Sequence, residues 1–139
     1  MRAFCTTWIL VSICVVATAQ SLRQGIQGQV FFVADSTVAR QRPNSGIKRE
    51  VVIHELTTLD QATHENGFFK SVPTAVVTTL ISGDDGSFRV KLPPGTYSVF
   101  VREGDGLYAN LFEHNQINPV VVKPRQYAWV TITVDYPGL

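Results

Sequence analysis

The segment from Thr78 to Val101, TTLISGDDGSFRVKLPPGTYSVFV, limits the possible folds more than any other stretch of the chain. Phe88, Val90 and Leu92 alternate with Ser87, Arg89 and Lys91, and Tyr97, Val99 and Val101 alternate with Ser98, Phe100 and Arg102. Successive side chains of a strand point to opposite faces, so an apolar period of two marks strands with one face buried. A helix would need its apolar residues every 3.6 positions or so. Turn residues separate the strands. Ser82-Gly83-Asp84-Asp85-Gly86 joins glycine, which takes positive φ freely, to aspartate, which hydrogen-bonds its own backbone. Pro93-Pro94-Gly95 is a rigid turn because proline fixes φ. The pattern predicts two tight hairpins, with Phe88 and Tyr97 filling a core from adjacent strands and the proline turn setting their register.

The same reading extends along the chain. Gly25–Val33, Glu50–Thr57, Thr74–Ile81, Leu107–Glu113, Val120–Val122 and Ala128–Val134 read as further strands, the last with Val130, Ile132 and Val134 on one face and Trp129, Thr131 and Thr133 on the other. Ala34–Arg49, centred on Pro43-Asn44-Ser45-Gly46, and His114–Pro119 read as loops. Thr58–Pro73 is mostly polar but contains Phe68-Phe69, and fits either an excursion loop or an extra hairpin. About seven short strands separated by turns, with no helical period, indicate an all-β, antiparallel Greek-key sandwich.

The first nineteen residues are a separate object. Met1-Arg2 is followed by an apolar run from Ala3 to Val16 and by Ala17-Thr18-Ala19, the three-part layout of a secretory signal peptide cleaved after Ala19. The run is shorter than the ~20 residues that cross a bilayer, so no membrane span is expected once the signal is removed. Cys14 sits at the depth of a lipidated cysteine, but Ile13 before it is not the small residue such a site wants. Residues 1–19 are therefore expected to be a signal and 20–139 one domain, destined for secretion, a periplasm or a cell surface. Both cysteines, Cys5 and Cys14, would leave with the signal, so the domain must be held by its core rather than by a disulfide. With 12 Lys+Arg against 11 Asp+Glu, no basic excess points to nucleic acid.

The run Asp85, Gly86, Phe88, then Leu92, Pro93, Pro94, Gly95, Tyr97 resembles the core signature of the carboxypeptidase regulatory-like domains, members of the transthyretin-like (prealbumin-like) sandwich group. Gly28-Gln29-Val30 and the stretch from Pro43 to Val52 are similar to that family's opening strand, turn and second strand, so the resemblance covers most of Gly25–Val134 and is weakest at Thr58–Pro73. It implies a fold and says little of function, because such sandwiches host many roles. In larger proteins these domains are accessory units. Every residue of the signature has a structural task, which makes it architecture rather than an active site.

Catalytic chemistry finds little support. The metallocarboxypeptidases to which such domains are attached carry a His-x-x-Glu pair, whereas this chain has His54-Glu55 and His64-Glu65, adjacent residues that point to opposite faces of a strand. The 5-hydroxyisourate hydrolases of the same fold group end in Tyr-Arg-Gly-Ser; here the end is Tyr136-Pro137-Gly138-Leu139. Neither a nucleophile elbow nor a phosphate loop is present. Asp84-Asp85 and Asp105 lie in turns without calcium-loop spacing. The expectation is therefore a non-enzyme with no metal and no cofactor. It is a structural or binding module for a protein or glycan, with a small hydrolase or a carbohydrate-binding module as the alternatives. Convergence of two of His54, His64 and His114 with Arg or carboxylates would favour the hydrolase. Exposed, coplanar aromatics among Tyr108, Tyr127 and Trp129 would favour glycan binding. Arg40, Arg42, Lys48 and Arg49 make the first long loop basic, which reads as a solvated loop.

Overall fold

The computed structural model describes residues 23–33, 45–65 and 68–135; the expected signal, Cys14, Arg40, Arg42, Pro43 and the chain end at Tyr136–Leu139 lie outside them. Strands hold most of the described residues. In chain order these are β1 (Gly25–Phe32), β2 (Ser45–Gly46), β3 (Glu50–Glu55), β4 (Thr63–Glu65), β5 (Phe68–Ser71), β6 (Val76–Ile81) and β7 (Ser87–Lys91). They continue with β8 (Gly95–Glu103), β9 (Gly106–Tyr108), β10 (Phe112–Glu113), β11 (Gln116–Ile117), β12 (Pro119–Val122) and β13 (Tyr127–Val134). Among the described residues the one helical turn is a 3₁₀ segment at Leu59–Gln61, and no described helix is long and apolar enough to cross a membrane.

Two sheets form the sandwich. In the first, β1 is central, with β13 on one edge and β2 and β7 sharing the other. In the second, the order is β4-β5-β9-β8-β3-β6, with β12 also paired to β8. Ile26, Val30, Phe88, Val130, Ile132 and Val134 of the first sheet meet Val51, Ile53, Tyr97, Val99, Val101 and Val120 of the second in one dry layer. Phe88 is 7% exposed, Tyr97 8% and Ile132 2%, so the alternation read from the sequence identifies the core face correctly.

The pairing differs from the expectation in two respects. First, β6 and β8 belong to the second sheet while β7 belongs to the first. The Asp85-Gly86 and Pro93-Pro94-Gly95 turns are therefore corners that carry the chain between layers, not hairpins. Phe88 and Tyr97 meet across the interior rather than along one sheet. A turn residue encodes a change of direction; it does not specify the partner that the next strand finds. Second, β1 and β13 are parallel, Gly25 to Phe32 lying beside Tyr127 to Val134, whereas every other pair is antiparallel. A parallel pair needs a long crossover, and here the whole domain supplies it.

Close backbone approach explains the glycines at these joints. A Cβ on Gly28 would lie 1.8 Å from the Val130 carbonyl oxygen. Gly86 has φ +83° and a Cβ there would lie 2.1 Å from the Val30 oxygen, while its own carbonyl accepts the Val30 N–H at 2.9 Å. Asp85 braces the same corner, its Oδ1 accepting from Ser87 N–H at 3.0 Å and from Ser87 Oγ at 2.6 Å. At the other corner, Tyr97 Oη donates to the Pro93 carbonyl at 2.6 Å.

The ambiguous segment Thr58–Pro73 contains the 3₁₀ turn and the hairpin of β4 and β5. It covers the outer face of the second sheet. There Val52, Phe69, Phe100, Leu107 and Ile117 form a second apolar cluster, with Leu59, Ala62 and Val72 packed against it. Phe100 is 0% exposed, so β8 is buried on both sides.

Phe88→Ala should destabilise the domain by about 3–5 kcal/mol, the cost of a large truncation in a packed core, measured by denaturant unfolding. A change below about 1 kcal/mol would mean that Phe88 is not part of that core.

Candidate functional site

Two surfaces carry functional groups. The first is the outer face of the first sheet. Register places Trp129 beside Gln27 and Gln27 beside Arg89, across β13, β1 and β7. Residues two apart share a face, so Tyr127, Trp129 and Thr131 line one side of β13. Trp129 is 63% exposed, and its Nε1–H donates to Thr131 Oγ1 at 3.1 Å, fixing the indole on the strand. Arg89 donates to Gln27 Oε1 from Nη2 at 2.8 Å and from Nε at 3.2 Å, and its guanidinium lies over the Tyr127 ring, 4.7 Å from the centroid. Such a stack holds the arginine plane while leaving its remaining N–H groups able to donate. Beside these residues runs a hollow of about 550 Å³, lined by Gln27, Ser87, Arg89, Trp129, Leu80 and Ile81.

Tyr108, Tyr127 and Trp129 do not form the exposed, coplanar array that would favour a glycan: one of the three is open. Trp129 is open. Tyr127 is half-buried and covered by Arg89. Tyr108 is 2% exposed, packs on Phe68 at 5.2 Å, and donates from Oη to the Asp135 carbonyl at 2.7 Å; it is a core residue, not a contact residue. Gly106–Tyr108 is wedged between β5 and β8, and nothing in the local sequence distinguishes that burial from an exposed tyrosine. Gln27 and Arg89 are the site residues that sequence reasoning missed. Their outward alternation was visible, but their adjacency depends on β1 lying between β7 and β13.

The second surface is on the outer face of the other sheet, where a hollow of about 220 Å³ is lined by Val52, His54, Lys70, Val76, Arg102 and Asp105, among others. His54 is 3% exposed and stacks edge-on to Phe100 at 5.2 Å. Its Nδ1 is 3.0 Å from the Thr74 carbonyl oxygen, an acceptor only, so Nδ1 is the donor of that bond. Thr74 Oγ1 continues the chain to Thr57 Oγ1 at 2.6 Å, and Thr57 N–H donates to Ser98 Oγ at 2.9 Å. Arg102 is held by Glu50 at 2.8 Å. His64 is exposed beside Phe69, and His114 lies in the β10–β11 turn at φ 49°. Of the three histidines only His54 lines this hollow, and no three His, Cys, Asp or Glu side chains converge among the described residues. In the first long loop, Arg49 pairs with Glu103 at 2.7 Å.

Burial lowers the pKa of His54 below its usual value, opposed by the Thr74 carbonyl bond. The unfolded chain therefore takes up a proton near pH 6.5 before the folded chain does, so stability falls as pH drops through that value. The lowered pKa values of Asp60, set by bonds from Thr58 and Asn115, and of Asp85, set by Ser87, act only below about pH 4. The melting temperature should thus fall from pH 7 to pH 5, and His54→Gln should flatten that slope; a slope unchanged in the variant would exclude His54 as its source. No family model matches the chain, and no significant match is found among curated proteins or solved structures.

Proposed function

We propose that the chain is an exported, non-catalytic β-sandwich module of the carboxypeptidase regulatory-like kind, and that it binds a glycan on the outer face of β13, β1 and β7. The observation that carries this reading is Trp129, an indole 63% exposed yet pinned to its strand by Thr131. A fixed aromatic plane offers a stacking surface at little entropic cost. The Gln27–Arg89–Tyr127 cluster beside it supplies prearranged donors and acceptors for hydroxyl groups. Export is supported by the Met1–Ala19 layout, and the family reading by the Asp85-Gly86 and Pro93–Tyr97 corners, whose residues all serve the fold.

The hydrolase alternative is less well supported. Neither His64 nor His114 joins His54 in the hollow. A general base needs its substrate proton within hydrogen-bond reach and a partner to orient the reaction.

A glycan array with the purified chain should give discrete hits, and Trp129→Ala should weaken them at least tenfold, about 1.4 kcal/mol, while leaving the melting temperature unchanged. Binding retained in Trp129→Ala would remove this face from the reading. An array without hits, together with turnover that depends on His54, would replace it with the hydrolase.

A further inference from the structure

The outward face of the first sheet carries charge of one sign. Gln27, Arg89 and Trp129 stand in one row on it, and residues two apart share a face, so the odd-numbered positions of β1, β7 and β13 make up that face. The charged residues among them are Arg89 and Lys91, both cations. The end of the sheet beside them adds more. The Gln24 carbonyl accepts from Leu92 N–H at 3.2 Å and Gln24 Oε1 from Arg125 N–H at 3.3 Å, so Arg23, Lys91 and Arg125, all exposed, are gathered about Gln24. Residues 23–33, 86–102 and 123–134 contain no Asp or Glu. Carboxylates lie elsewhere. Asp84 and Asp85 stand beyond Ser87, at the other end of β7, where Asp85 is bonded to Ser87. Asp135 follows the far end of β13, and Glu55 ends β3 in the other layer, beside Tyr97.

Arg89 differs from the other arginines of the sheets. Arg49 is paired with Glu103 and Arg102 with Glu50, whereas among the described residues Arg89 has a neutral amide and a ring for partners. Two of its five N–H groups are used on Gln27 Oε1, and three remain. The guanidinium reaches over β1 to the ring of Tyr127, which lies two residues from Trp129, about 7 Å along the strand. A fixed cation therefore stands next to an open stacking plane, in the hollow whose other wall is Leu80 and Ile81, the latter 65% exposed. Resting on the glycan reading above, we propose that the ligand is an acidic polysaccharide. A sugar ring stacks on Trp129, its carboxylate or sulfate accepts from Arg89, and the cations about Gln24 attract the next acidic units. The planar fork of arginine matches such oxyanions, and charge-assisted bonds are roughly twice as strong as neutral ones. A single-stranded nucleic acid would stack successive bases on a row of rings, and one ring is open here.

Equilibrium binding of the purified full chain to matched polymers tests this: dextran sulfate against dextran, and polygalacturonate against its methyl ester. In at least one pair the acidic member should bind about tenfold more tightly, and salt at about 1 M should erase most of that difference. A preference in the first pair identifies the group as a sulfate ester, one in the second as a carboxylate, and either supports the proposal. Arg89→Gln should reduce the preference to about twofold with an unchanged melting temperature. Lys91→Glu, which sets a carboxylate two residues from Arg89, should reduce it as well. Lys70→Gln, which removes a cation from β5 of the other sheet, should leave it intact. Equal binding within both pairs would overturn the acidic ligand and leave the glycan reading standing. No binding to any of the four polymers, together with an array without hits, would remove both. A preference kept in Arg89→Gln, one lost equally in Lys70→Gln, or tighter binding of a single-stranded oligonucleotide than of any polymer would each overturn the proposal.

Discussion

The backbone of β1 is the element on which the domain closes. It is bonded along its whole length to β13 on one edge, and on the other to β7 over Gly25–Gln29 and to β2 at Phe31 and Phe32. The first and last described strands are therefore held side by side. No disulfide joins the described residues, which include no cysteine. The closure is intolerant of bulk. Gly28 meets the Val130 carbonyl and Gly86 meets the Val30 carbonyl at distances where any side chain would force the strands apart. The pairing of the first described strand with the last spans almost the whole described chain, so these contacts are the least local of the fold and carry the largest loop-closure cost.

The second sheet follows a different logic. β8 is its longest strand and is apolar on both faces, with Tyr97, Val99 and Val101 toward the interior and Phe100 toward the outside. A single sandwich interface can bury only one of those faces. The other requires a cover, and Thr58–Pro73 provides it through Phe69, Leu59, Ala62 and Val72. Phe69 and Phe100 meet edge to face at 5.5 Å, an arrangement worth about 0.5–1.5 kcal/mol beyond the area it buries. Beside the cover, His54, Thr74, Thr57 and Ser98 are joined by hydrogen bonds at the margin of the second hollow. The segment least like the resembled family is thus the one that lets this β8 carry a phenylalanine on its outer side.

Side-chain alternation is a local property, and what depends on it was legible. The faces of Phe88, Tyr97 and Ile132 could be assigned from the sequence because burial acts on each strand in the same way whatever its neighbours are. Strand partnership is written in backbone groups common to all residues, so the placing of β7 in the first sheet and the parallel joining of β1 to β13 could not be read. The candidate site divides along the same line. Trp129 stood out because a tryptophan opposite Val130 and Ile132 must face outward. Arg89 and Gln27 become site residues only when three strands distant in sequence lie adjacent. Tyr108 misled for the converse reason: only tertiary contacts with Phe68 and Asp135 make it a core residue. Phe100 was assigned to the polar side of its strand because its cover comes from some thirty residues away in the chain.

The two exposed features of the surface are linked by geometry. The hollow of about 550 Å³ is bounded on one side by Arg89 and Trp129 of the first sheet and on the other by Leu80 and Ile81 of β6. It lies where the corner at Ser82–Gly86 separates β6 from β7, so the turn that moves the chain from one layer to the other also brings the edge strand beside the aromatic face. The aromatic face and the exposed side of β6 meet at one hollow only because the chain changes layers there; had Ser82–Gly86 closed a hairpin, β7 would lie along β6 and cover it.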